Sequence, residues 1–399
     1  ALSAGPAELV FDTTPFYAES GGQAGDHGEI VFGNGARFIV RDVQKRAGDL
    51  HVHIGELVSG EARLGDTASL HVDAARRRAI MANHSATHIM HAALRNVLGE
   101  HVTQKGSLVE ADRFRFDFSH NGPMTPAELE AVEDEVNAQI RENHPTGIQV
   151  TSPDKAIEAG ALALFGEKYG HEVRVLSMGT GDARRYSVEL CGGTHVERAG
   201  DIGVFVIMSE SGVSAGVRRI EAATGAEALA YLKGRAQIAV DLAESLKVPL
   251  KDVPRRVAAL GEERRSLEKE LADVKRKLAM GGGGGAPAGP EEINGVKLMA
   301  RIAEGVGGKE LRTLVDEAKA QIGSGIVAFV GVADGKAGVA VGVTKDLTDT
   351  YSAVDLVKAA SEALGGKGGG GRPDMAQAGG PDTDKADDAL AAVRAAIAG

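Results

Sequence analysis

Between Met280 and Glu291 the chain runs through five consecutive glycines and then Ala-Pro-Ala-Gly-Pro. Such a stretch has almost no side chain to bury and the largest backbone entropy to lose, so residues 281–290 read as a flexible linker. A chain interrupted in this way needs a core on each side of the break. Its 399 residues suffice for two to four domains at roughly 100–200 residues each. With 43% apolar and 25% charged residues the composition is that of globular protein, and no run reaches the roughly 20 apolar residues of a membrane span. The single cysteine, Cys191, excludes an intramolecular disulfide. Together with the lack of an apolar leader, it leads us to expect a reducing, cytoplasmic compartment. The first residue is Ala1 rather than Met, as in a fragment or a processed chain. Lys and Arg number 45 against 56 Asp and Glu, a formal charge of −11. That balance argues against a chain-wide basic surface and leaves any RNA contact to local patches.

The hydrophobic period divides the rest. Short apolar runs separated by Gly, Asn and Asp, such as Glu29-Ile30-Val31-Phe32 and Arg37-Phe38-Ile39-Val40, read as a small antiparallel barrel or sheet, taken here as a β-barrel over 1–75. From there Ile80, Met81, His84, His88, Ile89, Ala92, Ala93, Leu94 and Val97 recur at helical intervals up to Leu98-Gly99, which predicts a buried helix. Phe114, Phe116 and Phe118 alternate with polar residues as a strand does, and Thr125-Pro126 with Glu128 opens a helix to about Asn143. Strands near Ile148–Thr151, Val173–Met178 and Gly203–Ser209 complete an α+β domain over 76–224. Residues 225–280 read as helical, broken near Val248-Pro249, with Val257, Leu260, Leu267, Leu271, Val274 and Leu278 on alternating three- and four-residue steps. That seam predicts a coiled-coil stalk, as a hairpin or between two copies. In 291–399, strand-like runs at Val296–Ala300, Ile326–Val332 and Val339–Val343 alternate with helical patterns, which predicts a C-terminal α/β domain. The whole is a multidomain α+β chain.

Two paired spacings carry the chemistry: His84-x-x-x-His88 and Cys191-x-x-x-His195. Residues four apart on a helix share a face, so two imidazoles at that spacing can bind one metal ion. Gly192 and Gly193 allow the second pair to turn a thiolate and an imidazole toward one point. Three nitrogens and one sulfur suit tetrahedral Zn²⁺. About a hundred residues separate the halves, so tertiary folding has to join them. Taken singly, either pair is equally an ordinary helix surface or a small buried cysteine.

The run Thr14-Pro15-Phe16-Tyr17-Ala18-Glu19-Ser20-Gly21-Gly22-Gln23, with Asn83-His84-Ser85-Ala86-Thr87-His88 and Cys191-Gly192-Gly193-Thr194-His195, resembles the editing part of the alanyl-tRNA synthetase family. Further stretches are similar to the same family, among them His101–Ser107, Arg115–His120, Ala163–Gly170 and Arg218–Ala222. Residues Gly368–Gly380 resemble its C-terminal domain, which is shared with the DHH phosphoesterases. The resemblance implies hydrolysis of mischarged Ser-tRNA(Ala) and Gly-tRNA(Ala), with Zn²⁺ on His84, His88, Cys191 and His195. It also implies that Thr87, Gln104 and Ser107 line the catalytic pocket. Proofreading is needed because one hydroxyl or methyl separates neighbouring amino acids by only about 1–3 kcal/mol in binding. The same resemblance implies a DHHA1-like domain that touches tRNA and joins two chains as a homodimer. The family's ATP-binding aminoacylation core is expected to be missing ahead of residue 14. Two alternatives stay open: a free-standing deacylase acting in trans, and a non-catalytic tRNA-binding and dimerisation module with structural zinc.

Other features point elsewhere more weakly. Gly21-Gly22-Gln23 also occurs in peptide-release factors, although a tight turn in the barrel explains it equally well. Lys367–Arg372 places two cations among glycines whose amides could approach phosphate, or forms a disordered loop. Arg76, Arg77, Arg78, Lys105, Arg218 and Arg219 are candidates for the RNA backbone. With no Asp-His-His triplet, a nuclease role is not expected. No Ser-His-Asp triad suggests itself, and a zinc-bound Cys191 would be a poor free nucleophile.

Overall fold

The computed structural model describes residues 1–158, 160–162, 171–179, 186–281, 289–333 and 335–399. The similar stretch at Ala163–Gly170 and most of the glycine run lie outside the described residues. By contact the chain divides into two units, Ala1–Leu242 and Ala243–Gly399.

In the first unit, strands β1 (Gly5–Leu9), β2 (Gly28–Phe32), β3 (Arg37–Arg46), β4 (Leu50–Ser59) and β5 (Ala68–Val72) form one antiparallel sheet in the order β1-β4-β3-β2-β5. Alternate residues of all five strands meet in one cluster around Phe16, Ile30, Phe38, Val43 and Leu57, which requires a strongly curled sheet. β1 and β5 remain its edges. The hydrogen-bonded ladder is therefore open where the sequence predicts a barrel.

Helix α1 (Ala74–Leu98) follows, started by the Asp73 carboxylate, which accepts from the amides of Ala75 and Arg76. Its middle, Asn83 to His91, is buried on every side. Such burial demands that each polar group there find a partner. β6 (Gln104–Val109), β7 (Phe114–Ser119), α2 (Pro126–Glu142), β8 (Gly147–Thr151), α3 (Pro153–Glu158), β9 (Val173–Met178), β10 (Ser187–Leu190), β11 (Phe205–Ser214) and β12 (Val217–Thr224) complete the α+β part. Two antiparallel sheets result, β11-β12-β7-β6 and β10-β9-β8. The phenylalanines of β7 enter the core beside Ile80, Ile89, Met90 and Leu94 of α1 and Val132 and Val136 of α2. α2 begins as its sequence predicts: Thr125 and Glu128 make a reciprocal capping box, and Pro126 occupies the first turn. Asn143 ends it in the left-handed conformation.

The helical region is α4 (Gly225–Leu246) and α5 (Val253–Gly281), interrupted at Pro249 as expected. The α5 seam from Val257 to Leu278 is exposed, with Leu267 at 63%. The far end of α5 packs in the second unit, where Arg276 reaches Glu317 at 3.4 Å. For that reason the units part at Leu242 and not at the glycine run. The remaining elements are β13 (Glu291–Ile293), β14 (Val296–Glu304), α6 (Gly308–Ile322), β15 (Ile326–Ala333), β16 (Lys336–Val343), α7 (Ala353–Ala363), β17 (Gly369–Arg372), β18 (Met375–Gly380) and α8 (Ala386–Ala398). Their sheet runs β13-β14-β15-β16-β18-β17, with only β14 and β15 parallel. Lys367–Arg372 is thus largely an edge strand and not a loop. A Cβ on Gly369 would come within 2.5 Å of Val357 Cγ1 on α7, so glycine is what lets this strand lie against the helix. Among the described residues no helix is long and apolar enough to cross a membrane.

Candidate metal centre

The donor atoms of His84, His88, Cys191 and His195 lie within 4.8 Å of one another. His84 and His88 come from one face of α1, while the other pair comes from the turn that follows β10. Cys191 Sγ is 3.5 Å from His84 Nε2 and 3.2 Å from His195 Nε2. Ideal Zn–S and Zn–N bonds of about 2.3 and 2.0 Å at a tetrahedral angle separate sulfur from nitrogen by about 3.5 Å. These two separations are close to that spacing.

The outer contacts orient the rings. Gln23 Oε1 accepts from the Thr194 amide at 2.9 Å and from His84 Nδ1 at 2.7 Å, while its Nε2 donates to Thr194 Oγ1 at 2.8 Å. His88 Nδ1 donates to Glu189, and His195 Nδ1 lies 3.2 Å from the Ser85 hydroxyl. All three imidazoles therefore have Nδ1 engaged and Nε2 turned to the centre, the arrangement of ligating histidines. His88 Nε2 is buried without a hydrogen-bond partner among the described residues. A metal ion would supply that partner.

Electrostatics agree with the geometry. Burial opposes a Cys191 thiolate, but the charges of His84 and His88 and hydrogen bonds from His195 and His84 outweigh it and hold the thiol well below its usual pKa. Burial also opposes a charged His88, yet the Glu189 carboxylate and Cys191 push it upward. His195, buried and facing His84, is lowered to about 3 and stays neutral.

Beside these donors lies a cavity of about 290 Å³, lined among others by Tyr17, Lys45, Thr87, Gln104, Ser107 and Arg174. Thr87 donates to the Asn83 carbonyl one turn back at 2.9 Å, which leaves the lone pairs of Oγ1 as acceptors. Gln104 and Ser107 make no side-chain hydrogen bond among the described residues. Sequence reasoning missed the roles of Gln23, Ser85 and Glu189. Gln23 is fully buried, so Gly21-Gly22-Gln23 is more than a turn. Gly22 has φ +84°, and a Cβ there would sit 2.4 Å from the Ser107 carbonyl oxygen. A buried glutamine inside a glycine turn is the signal that could have marked it.

The basic candidates divide differently from expectation. Arg77 forms an ion pair with buried Asp26, and Arg76 donates to the Gly25 carbonyl at 2.8 Å. Arg218 pairs with Glu210 and Arg219 with Asp117. These cations brace the fold, whereas Arg78 and Lys105 are exposed without an ion-pair partner among the described residues.

Three family models match the chain: threonyl and alanyl tRNA synthetase second additional domain over 173–221, DHHA1 domain over 295–399, and tRNA synthetases class II (A) over 3–76. The alanine–tRNA ligase of Hyphomonas neptunium is 79% identical over 400 residues, covering 100% of this chain and 45% of the relative. Along its whole length the chain is similar to part of the alanyl-tRNA synthetase family. The corresponding ligase of Parvibaculum lavamentivorans is 57% identical over 398 residues, 98% of this chain and 45% of that protein. The chain therefore spans about half the length of the curated relatives it matches. A solved structure, the C-Ala domain from Aquifex aeolicus alanyl-tRNA synthetase, is 29% identical over 28% of this chain and 98% of its own, with a TM-score of 0.27. The class II match falls on the β1–β5 sheet and includes the Thr14–Gln23 run.

Proposed function

We propose that this chain is an aminoacyl-tRNA deacylase, the editing part of an alanine–tRNA ligase, which hydrolyses Ser-tRNA(Ala) and Gly-tRNA(Ala) beside a Zn²⁺ ion held by His84, His88, Cys191 and His195. The observation that carries the reading is that these four donors converge and that three of them, His84, His88 and Cys191, line a cavity together with Thr87, Gln104 and Ser107. Its volume, about 290 Å³, is at the lower end for small-ligand sites. When bound, zinc supplies fixed positive charge next to the ester. Gln104 orients the ester carbonyl or the attacking water through its amide. Water oxygen adds to the carbonyl carbon and the bond to the terminal ribose oxygen breaks. One water proton passes to that oxygen, and the amino acid leaves as its acid. Thr87 Oγ1, already committed as a donor, accepts from the hydroxyl of serine, which alanine lacks. Ser107 can bond the same hydroxyl. A site built around such a bond discriminates far better than an apolar pocket. Lys45 and Arg174 bring positive charge for the acceptor-end phosphates.

The layout we propose with this activity is a barrel-like segment over 1–75, the editing domain over 76–224, a helical stalk over 225–280, a linker over 281–290 and a DHHA1-like domain over 291–399. The last, supported by its family match, would contact tRNA and join two copies in the cytoplasm. The exposed seam of α5 is consistent with a stalk between chains.

Metal analysis together with deacylation of Ser-tRNA(Ala) and Ala-tRNA(Ala) tests the activity. We expect one zinc per chain and turnover selective for the seryl ester; tRNA binding without turnover would favour a non-catalytic module. Gln104→Ala is expected to lower kcat for the seryl ester by about 10²-fold, the scale for losing one positioned donor. Its zinc content should match that of the unaltered chain, and a fall in zinc would place Gln104 in a different role.

A further inference from the structure

Glu189 is 2% exposed and sits on β10, whose backbone pairs with β9 at Leu176. One carboxylate oxygen accepts from His88 Nδ1 and the other from His91 Nδ1 at 2.7 Å. His91 is 1% exposed, packs 5.3 Å from the ring of Phe116, and has no hydrogen-bond partner for Nε2 among the described residues. It is not one of the converging donors. What His91 does is occupy the second oxygen of Glu189, so that the carboxylate is held from both sides and the sheet prevents it from swinging away.

We propose that Glu189 is the positioning residue of the metal centre, with His91 as its brace, and that its charge sets how tightly the ion is held. The inference rests on the metal reading above. Zn²⁺ with one thiolate and three neutral imidazoles leaves a single positive charge in a buried site. An uncompensated charge in a buried site is unfavourable. Glu189 brings the sum to zero and, through the Nδ1–H of His88, raises the basicity of the nitrogen that faces the ion.

Chelator competition with Zn²⁺, and the ligand-field spectrum of the Co²⁺-loaded protein, test it on the full chain. Glu189→Gln keeps the shape and removes the charge; zinc affinity should fall roughly 10- to 100-fold, and the Co²⁺ bands should shift as His88 loosens. Zinc binding as tight as in the unaltered chain, with an unchanged spectrum, would overturn the inference while leaving the metal reading standing. If the unaltered chain binds no zinc, both fail. Should Glu189→Gln not fold, His91→Gln reads the same arrangement without touching a ligand or Glu189 itself: weaker zinc binding supports the inference, and equal binding overturns it.

Discussion

Cys191→Ala should empty the metal centre and abolish Ser-tRNA(Ala) deacylation. The substitution removes the only sulfur among the four donors and the negative charge that faces His84 and His88. Three imidazoles remain, each still held from behind by Gln23, Glu189 or Ser85. The rings therefore stay close to position while the affinity for the ion falls by more than the roughly 100-fold that an outer-shell change costs. Cys191 is not a large core side chain, so the fold should survive. Metal content, circular dichroism and single-turnover deacylation on one preparation check all three statements. Full activity without bound metal would contradict the zinc reading directly.

Gly193→Ala should be the next most damaging change, and Gly192→Ala, its neighbour, nearly silent. A Cβ at position 193 would lie 2.1 Å from His84 Cε1, 2.5 Å from His84 Nδ1 and 2.8 Å from Gln23 Oε1. None of these can yield without breaking the bond that holds the His84 ring. Overpacking of this kind costs about 1–3 kcal/mol, which in a unit of this size lowers Tm by several degrees, at about 2–4 °C per kcal/mol. Zinc affinity should fall with it, because the displaced ring carries a donor. At position 192 a Cβ meets nothing within 4 Å. Thermal melts and chelator competition on the two variants side by side provide the comparison. Equal behaviour would mean that the turn relaxes freely and that His84 is not held by contact with it.

Much of the local structure was legible in the chain. The period-two phenylalanines of β7 face the core, and the Thr125–Glu128 box opens α2, because neighbours within a few residues decide both. The break at Pro249 was legible for the same reason. Where side-chain chemistry was averaged over a stretch, the reading failed. Glycines near Lys367 looked like a loop, yet absent side chains let β17 press against α7. The arginines looked like RNA contacts, but Arg77 and Arg219 meet carboxylates 51 and 102 positions away, Asp26 and Asp117, and Arg218 meets Glu210 on the neighbouring strand.

The metal donors themselves could be named from spacing, since i and i+4 positions share a helix face wherever the helix goes. What holds those donors could not. Gln23 reaches Thr194 across 171 positions and His88 reaches Glu189 across 101, and no local rule selects such partners. Sequence by itself determined which atoms can bind an ion. Only the tertiary structure decided which nitrogen of each ring faces the centre, because that choice belongs to the hydrogen bond made behind it.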